Sequence, residues 1–433
     1  MKSEQKKQKK QKKQKKLKEP LTEQESKRKI IIRAILLGVA ITVAVIAFSI
    51  AMKAYIHKDP GFYTIDANRV EDALLYANGI ELTCYFDGSS NEIREAMNIV
   101  SSTYSNTLSR LYKLLDPVNT YEGYTNLAYL NQHPGEDVKV DAELYDILNS
   151  AYALTMNGRF NMFAGALYSE WQGISILESQ EDFDPLLNEN EAARIKAISQ
   201  CVGDLSNFSF EAVDPYEHIV RFTVSDEYKK FTEELEINAP VINLAYLKEA
   251  YELEYTAAEV EKTGNTNGYF TTDEGMTKAM SGVNGGSFIV HTQEQGIAVK
   301  ACTLDIKAST AFCEFKAFSL NESPMYYTID MNGETLLRHP HFDYSDGGKY
   351  DALISGCAVS MKGDLVSAVI DSYRLITSAS ENDAAQYVMQ HTDGQTYFCF
   401  ITKAEPKAVR TDNAHTGAII LDEGSVGSVK PIG

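Results

Sequence analysis

Nineteen consecutive uncharged residues, Ala34 to Met52 (AILLGVAITVAVIAFSIAM), apolar but for Thr42 and Ser49, stand between Arg33 and Lys53 near the start of this 433-residue chain. At about 1.5 Å per helical residue, such a run matches a hydrocarbon core of about 30 Å. A cleaved signal has a shorter apolar region, about 7 to 15 residues, followed by a small-x-small cleavage site, and no such site is evident here. The run predicts a retained transmembrane helix, residues 34–52, in a single-pass protein of the cell membrane.

Charge sets the orientation. Residues 1–33 carry 14 Lys and Arg against 4 Glu, so the formal charge of −19 divides into +10 for that segment and −29 for the rest. By the positive-inside rule the N-terminus is cytoplasmic and the main domain extracytoplasmic. The tail (KKQKKQKKQKK) has no apolar residues to bury and reads as disordered, with a role in topology and lipid-headgroup contact. An ectodomain this acidic predicts no nucleic-acid partner, and its one tie to the membrane is the helix.

Beyond the apolar run the sequence divides into a juxtamembrane linker (53–74), one compound domain (75–405) and a C-terminal tail (406–433). No Pro/Gly/Ser linker interrupts 75–405, and no repeat of 20–50 residues is visible. Six cysteines (Cys84, Cys201, Cys302, Cys313, Cys357 and Cys399) form no CxxC pair. That pattern supports neither a zinc ribbon nor a thioredoxin-type site, and most of the six read as core residues.

The first half is rich in helical periodicity. Ile93, Met97, Val100, Tyr104, Leu108 and Leu111 recur at spacings of three and four, behind Ser89, Ser90 and Asn91 as N-cap candidates. A second helix is expected from Asp141, as its cap, to Gly158; a third ends at Gly203; a fourth runs from Leu244 to Gly264. The second half alternates with period two in FIVHT, GIAVKACTL, TAFCEFKAF, MYYTIDM and AVS. One more helix (Leu365 to Ile376) and a final strand, QTYFCFIT, follow. Without a regular βαβ alternation the fold class is α+β, helix-rich first and strand-rich second.

General motifs are absent: no G-x-S-x-G, no P-loop, no strand-linked G-x-G-x-x-G and no H-E-x-x-H. Two weaker constellations remain. His339 and His341 with Asp343 and Asp346 place imidazoles and carboxylates near one another, although turn chemistry also explains the acidic residues. Asp364 and Asp371, seven apart, share a helix face that suits a hard cation such as Mg²⁺.

Taken in order, the segments from about residue 75 to 405 resemble the ApbE-type FAD:protein FMN transferase family. The closest match is TYEGYTNLAYLN followed by VKVDAELYDILNSAYALTMNGRFNMFAGALYSEW. There Tyr121, Asn131, Leu144, Gly158, Phe160, Gly165, Leu167 and Trp171, the only Trp, fall in the family's register. Further on, NLAYLKEAYE from Asn243 matches the family's Asp-Leu-Gly-x-Ile-Ala-Lys-Gly-Tyr-Ala segment. Asp343 to Gly347 match its Asp-Pro-x-Thr-Gly turn, and Gly363 to Val369 its late Ala-Asp-Ala-x-x-Thr-Ala helix.

The resemblance implies FAD as substrate and Mg²⁺ as cofactor. The family reaction moves FMN from FAD onto a threonine hydroxyl of an FMN-carrying acceptor protein and releases AMP; here that acceptor would be extracytoplasmic. The resemblance places Tyr121, Asn161, Asn243 and Glu249 at cofactor-binding positions, and Asp364, Ser367, Ala368 and Tyr246 at the metal, with Ser367 or Asp371 completing the sphere around Asp364. It assigns no catalytic residue. Several positions depart from the family pattern: Asn243 replaces Asp, Glu249 replaces Lys, Ala250 replaces Gly, and Ala368 replaces a hydroxyl ligand. Asn78-Gly79-Ile80, Phe160-Asn161 and Glu274-Gly275 stand for Met-Gly-Thr, Phe-Asp and Gly-Gly. An anion at Glu249 reverses the sign of an interaction with pyrophosphate. The alternative reading is a catalytically inactive relative that serves as a flavin-binding or protein-interaction module.

Overall fold

The computed structural model describes residues 23–66, 79–175, 185–307, 310–320, 323, 325–331, 333–405, 407–412, 418–422 and 424–432. The tail up to residue 22 and Asn78 lie outside them. Two compact units divide the chain, residues 1–60 with 88–94, and residues 61–87 with 95–433.

In the first unit one helix spans Glu23–Ile56, and its stretch Ile31–Ile50 is long and apolar enough to cross a membrane, with none of it buried. The helix begins well before the apolar run, because Glu, Gln, Lys and Arg are good helix formers and carry it back into the basic segment.

In the second unit a nine-stranded sheet runs Gly61–Ile65, Ile80–Phe86, Gly268–Thr272, Met276–Ala279, Ala311–Lys316, Leu353–Ser360, Thr396–Thr402, Ala408–Asp412 and Ser428–Ile432. All neighbours are antiparallel except Ala408–Asp412 and Ser428–Ile432, which pair parallel. QTYFCFIT is thus not the final strand, and the segment after Glu405 extends the sheet. A hairpin of Gly286–Glu294 and Ile297–Ile306 joins Ala418–Leu421 in a smaller sheet. The helical half also holds strands, Phe208–Asp214 paired with Ile219–Val224. Five of the six cysteines are buried, as their strand contexts predict, and the six are free thiols.

The helices start where local chemistry allows. Ser90–Leu114 opens on a capping box, with Glu92 Oε2 accepting the Ser89 N–H at 2.7 Å and Ser89 Oγ accepting the Glu92 N–H at 3.5 Å. Ala142–Met156 follows Asp141 in the cap position, but the Asp141 carboxylate makes no capping bond. The helix expected from Leu244 begins at Leu247 instead. There the Asn243 Oδ1 accepts the Ala245 N–H at 2.7 Å and Ala245 sits at φ +47°, a left-handed step that helical backbone cannot contain.

Leu365–Ile376 lies against the centre of the large sheet. Ser372 Oγ donates to the Gly356 carbonyl at 2.6 Å and accepts the Phe315 N–H at 3.0 Å. Only a glycine fits at 356, since a Cβ there would meet Leu375 Cβ at 2.7 Å. Helix and strands are thereby locked together next to the pockets described below.

Candidate functional site

The loop preceding Leu247 is clamped from three sides. Asn131 donates through Nδ2 to the Ile242 carbonyl at 2.9 Å and accepts the Ile242 N–H at 2.8 Å. Asn243 N–H donates to the Met162 carbonyl at 2.9 Å. At Gly165 an added Cβ would lie 1.9 Å from the Pro240 carbonyl oxygen, so the two backbones touch. These contacts explain why Asn131 and Gly165 hold their places in the matched frame.

The Asp343 turn is fixed comparably. Asp343 Oδ1 accepts from the Ser345 N–H at 2.8 Å and its hydroxyl at 2.6 Å. Gly347, at φ +75°, offers its carbonyl to Trp171 Nε1 at 3.1 Å. The Lys349 ammonium lies 4.2 Å from the Trp171 ring centre. The single tryptophan is therefore a fully buried strut for this turn.

Between these two anchors opens a pocket of about 350 Å³, lined by Arg159, Phe160, Asn161, Tyr246, Asp343 and Tyr344 among others. Its floor is aromatic: Tyr246 stacks on Tyr373 with ring centres 3.7 Å apart, and Phe160 and Tyr344 meet Tyr246 at 5.6 and 6.1 Å. Burial first, then the neighbouring phenols, hold the Tyr246 and Tyr344 hydroxyls well above their ordinary pKa, so both stay neutral. Arg374 borders the pocket, paired with Asp383 at 3.1 Å.

A second pocket, of about 200 Å³, shares Arg159 with the first and is lined by Asp364, Ser367, Asp371 and Lys362. Arg159 binds Asp371 at 2.6 Å, and Tyr387 donates to the same oxygen at 2.6 Å. The helix bearing Asp364 is docked from outside: Glu254 accepts the Leu365 N–H at 2.5 Å, and Lys278, itself 2.7 Å from Glu254, donates to the Gly363 carbonyl at 2.6 Å.

The structure brings Asn161 and Tyr246 into the first pocket and Asp364 and Ser367 into the second. Asn161 spends its amide on the Val202 carbonyl (2.9 Å) and the Phe163 N–H (3.0 Å), and Asn243 spends its oxygen on Ala245. Ala368 is fully buried one turn into its helix. Glu249 is half-buried in the first turn of Leu247–Lys262, where burial, then Glu252, Glu274 and Asp273, push its pKa up to about 8. Tyr121 lies away from both pockets, donating to Asp116 at 2.7 Å.

The donor set does not fit a preformed Mg²⁺ site. Asp364 acts as a helix cap, with Oδ1 accepting the Ser367 N–H at 2.9 Å and Oδ2 its hydroxyl at 2.7 Å. Asp371 is engaged by Arg159 and Tyr387, Ala368 has no donor atom, and the Tyr246 phenol is enclosed by rings. Among the described residues no three His, Cys, Asp or Glu side chains converge as a metal centre. The histidine pair gathers no third ligand either: His339 bonds the Tyr350 carbonyl at 3.0 Å, His341 packs on Phe315, and Asp343 serves its own turn.

Arg159, Tyr344, Tyr373 and Arg374 were not singled out from sequence. Arg159 stands between the matched Gly158 and Phe160, which was the one available signal. The stacking of Tyr246 on Tyr373 is a tertiary meeting without a local signature.

No protein-family model matches the sequence, and no curated protein matches it. Solved structures do. An ApbE protein from Thermotoga maritima is similar at TM-score 0.54 and 15% identity, over 84% of this chain and 97% of that one. A flavin transferase ApbE from Vibrio cholerae is similar at 0.50 and 11%, over 80% and 94%. A flavinyl transferase ApbE from Pseudomonas stutzeri, in apo form, is similar at 0.50 and 9%, over 83% and 96%. The chain has the ApbE fold.

Proposed function

We propose that this protein is a membrane-anchored, extracytoplasmic flavin transferase of the ApbE type, which takes FAD and passes FMN to a threonine of an acceptor flavoprotein. One observation carries the reading. Segments far apart in sequence, at residues 158–161, 246, 343–345 and 364–371, meet at two pockets that share Arg159, within the ApbE fold. The larger pocket is at the small end of the ~300–1,000 Å³ typical of ligand sites, so it suits one ring system of a dinucleotide. Its aromatic floor and bordering guanidinium groups match a planar, phosphate-bearing ligand. Bound FAD would supply the activated phosphoryl group. No step through Mg²⁺ is part of the proposal.

The helix Glu23–Ile56 supports anchoring, and the basic residues before it support a cytoplasmic N-terminus. The partner is then an FMN-carrying protein on the outer side.

Glu249 favours a second reading, a relative that binds flavin without transferring it. Burial and the neighbouring Glu252, Glu274 and Asp273 push the Glu249 carboxyl up to about 8, so near neutral pH it offers a pyrophosphate no cation, and above that pH it adds an anion.

The full-length protein in detergent, given FAD and a threonine-bearing acceptor domain, tests both. Released AMP with a covalently fluorescent acceptor supports transfer. Retained FAD without AMP supports the second reading, and no retained flavin overturns both.

A further inference from the structure

Lys316 ends the strand Ala311–Lys316 and is almost wholly buried, at 5% exposure. Its ammonium has three N–H donors to place. Its contacts are long ones, the Glu314 carbonyl at 3.4 Å and the Glu314 Oε2 at 3.8 Å. Glu314 is already engaged: Oε1 accepts the His291 N–H at 2.6 Å and the Ser355 hydroxyl at 2.7 Å, and Oε2 meets His291 Nδ1 at 2.7 Å. A buried ammonium so poorly matched is costly unless another anion completes it.

Lys316 lines a pocket of about 190 Å³ together with Ser319, Ser323 and Tyr326. Ser323 Oγ accepts the Met325 N–H at 3.4 Å, so its own proton can be directed elsewhere. Burial, then Glu274, keeps the Tyr326 phenol above its ordinary pKa, hence a donor. Asp273 and Glu274 also border this pocket, but both are exposed, where water and salt screen them more than the enclosed ammonium. The turn above must be glycine at 275: φ is +96°, and a Cβ would lie 2.9 Å from Lys316 Nζ and 2.3 Å from the Glu314 carbonyl oxygen. Phe315, which also lines this pocket, packs on the aromatic floor of the first, with its ring 6.1 Å from Tyr246 and 5.5 Å from Tyr373.

We propose that Lys316, with the hydroxyls of Ser323 and Tyr326, forms a subsite for a phosphoryl group of a nucleotide. A tetrahedral oxyanion offers several acceptors to a point-charge ammonium and to two hydroxyls lining the same pocket. Lys316 is the one cation among the described residues lining this pocket, in a neighbourhood where Glu249, Asp273 and Glu274 repel one another. The geometry stands by itself; only the assignment of the phosphoryl group to FAD rests on the flavin reading.

The test titrates the full-length protein in detergent, at low ionic strength, with inorganic pyrophosphate and separately with FAD, by calorimetry. Wild type is expected to bind both, and Lys316→Met to weaken both about tenfold or more. Tyr326→Phe, which keeps the ring, is expected to weaken pyrophosphate several-fold, and it decides the matter if Lys316→Met fails to melt cooperatively. Pyrophosphate binding that is absent in wild type or unchanged in these variants overturns the subsite. FAD affinity unmoved in Lys316→Met while pyrophosphate is lost overturns its assignment to a nucleotide. Wild type binding pyrophosphate but not FAD sinks the flavin reading and leaves the oxyanion subsite standing.

Discussion

Arg159 closes on Asp371 at 2.6 Å across 212 positions of sequence, and the same residue lines both pockets. The Asp371 side chain is 4% exposed, and burial raises its pKa against the opposing pull of Arg159.

Replacing Arg159 by Ala strands that carboxylate with Tyr387 alone. The expected loss is about 3 kcal/mol of unfolding free energy, the scale for breaking a buried pair from one side. Urea denaturation checks it, and the double variant Arg159→Ala/Asp371→Asn should recover part of the loss.

Stability should fall as pH rises from about 5 to 8. Glu249 and Glu252 have pKa values raised from 4.5 to about 8 and about 7, burial being the main cause for both. Below 4.5 both folded and unfolded chains hold these protons; through the window the unfolded chain releases them first, so it is favoured increasingly until the folded pKa is passed. Glu249→Gln should flatten the decline of melting temperature with pH, and an unchanged slope would refute the assignment.

Ala245 occupies φ +47° with a side chain that this region disfavours by about 1–2 kcal/mol. Ala245→Gly should therefore stabilise the fold by about 0.5–1 kcal/mol once the greater entropy of unfolded glycine is deducted. The midpoint of chemical denaturation would rise accordingly.

Gly165→Ala pushes a Cβ to 1.9 Å from the Pro240 carbonyl oxygen, a clash with backbone that no rotamer relieves. A loss of about 3 kcal/mol or more is expected. Because the same clamp positions Tyr246, ligand affinity of the aromatic pocket should drop in this variant even at temperatures where it stays folded.

Much of the architecture was legible because it rests on local signals. The helix of Val100, Tyr104, Leu108 and Leu111 shows its apolar stripe, Leu365–Ile376 is a helix over the expected residues, and strands form where FIVHT to AVS point to them, although Ala311–Lys316 and Leu353–Ser360, central in the sheet, are buried at every position and not on alternate ones. The start of Leu247–Lys262 was misplaced because its pattern continues back to Leu244, whereas the turn at Asn243 is a side-chain-to-backbone bond that periodicity does not record. The alternation in Phe208–Asp214 and Ile219–Val224 is short and lies between strong helices, which obscure it in the sequence. The pocket was half visible. Positions in matched segments, such as Asn161, Tyr246 and Asp364, could be named, but the partners that decide their chemistry, Tyr373 for Tyr246 and Arg159 for Asp371, come from elsewhere in the chain.

The outermost strands of the nine-stranded sheet, Gly61–Ile65 and Ser428–Ile432, are also its earliest and latest in sequence among the described strands. Mechanical load entering through those two segments would meet the sheet at its margins and peel one ladder rung at a time, instead of shearing many bonds in parallel. Such a sheet yields under tension by stepwise extension at its rims, while Ala311–Lys316 and Leu353–Ser360 at its centre keep their pairing with the pocket-bearing helix.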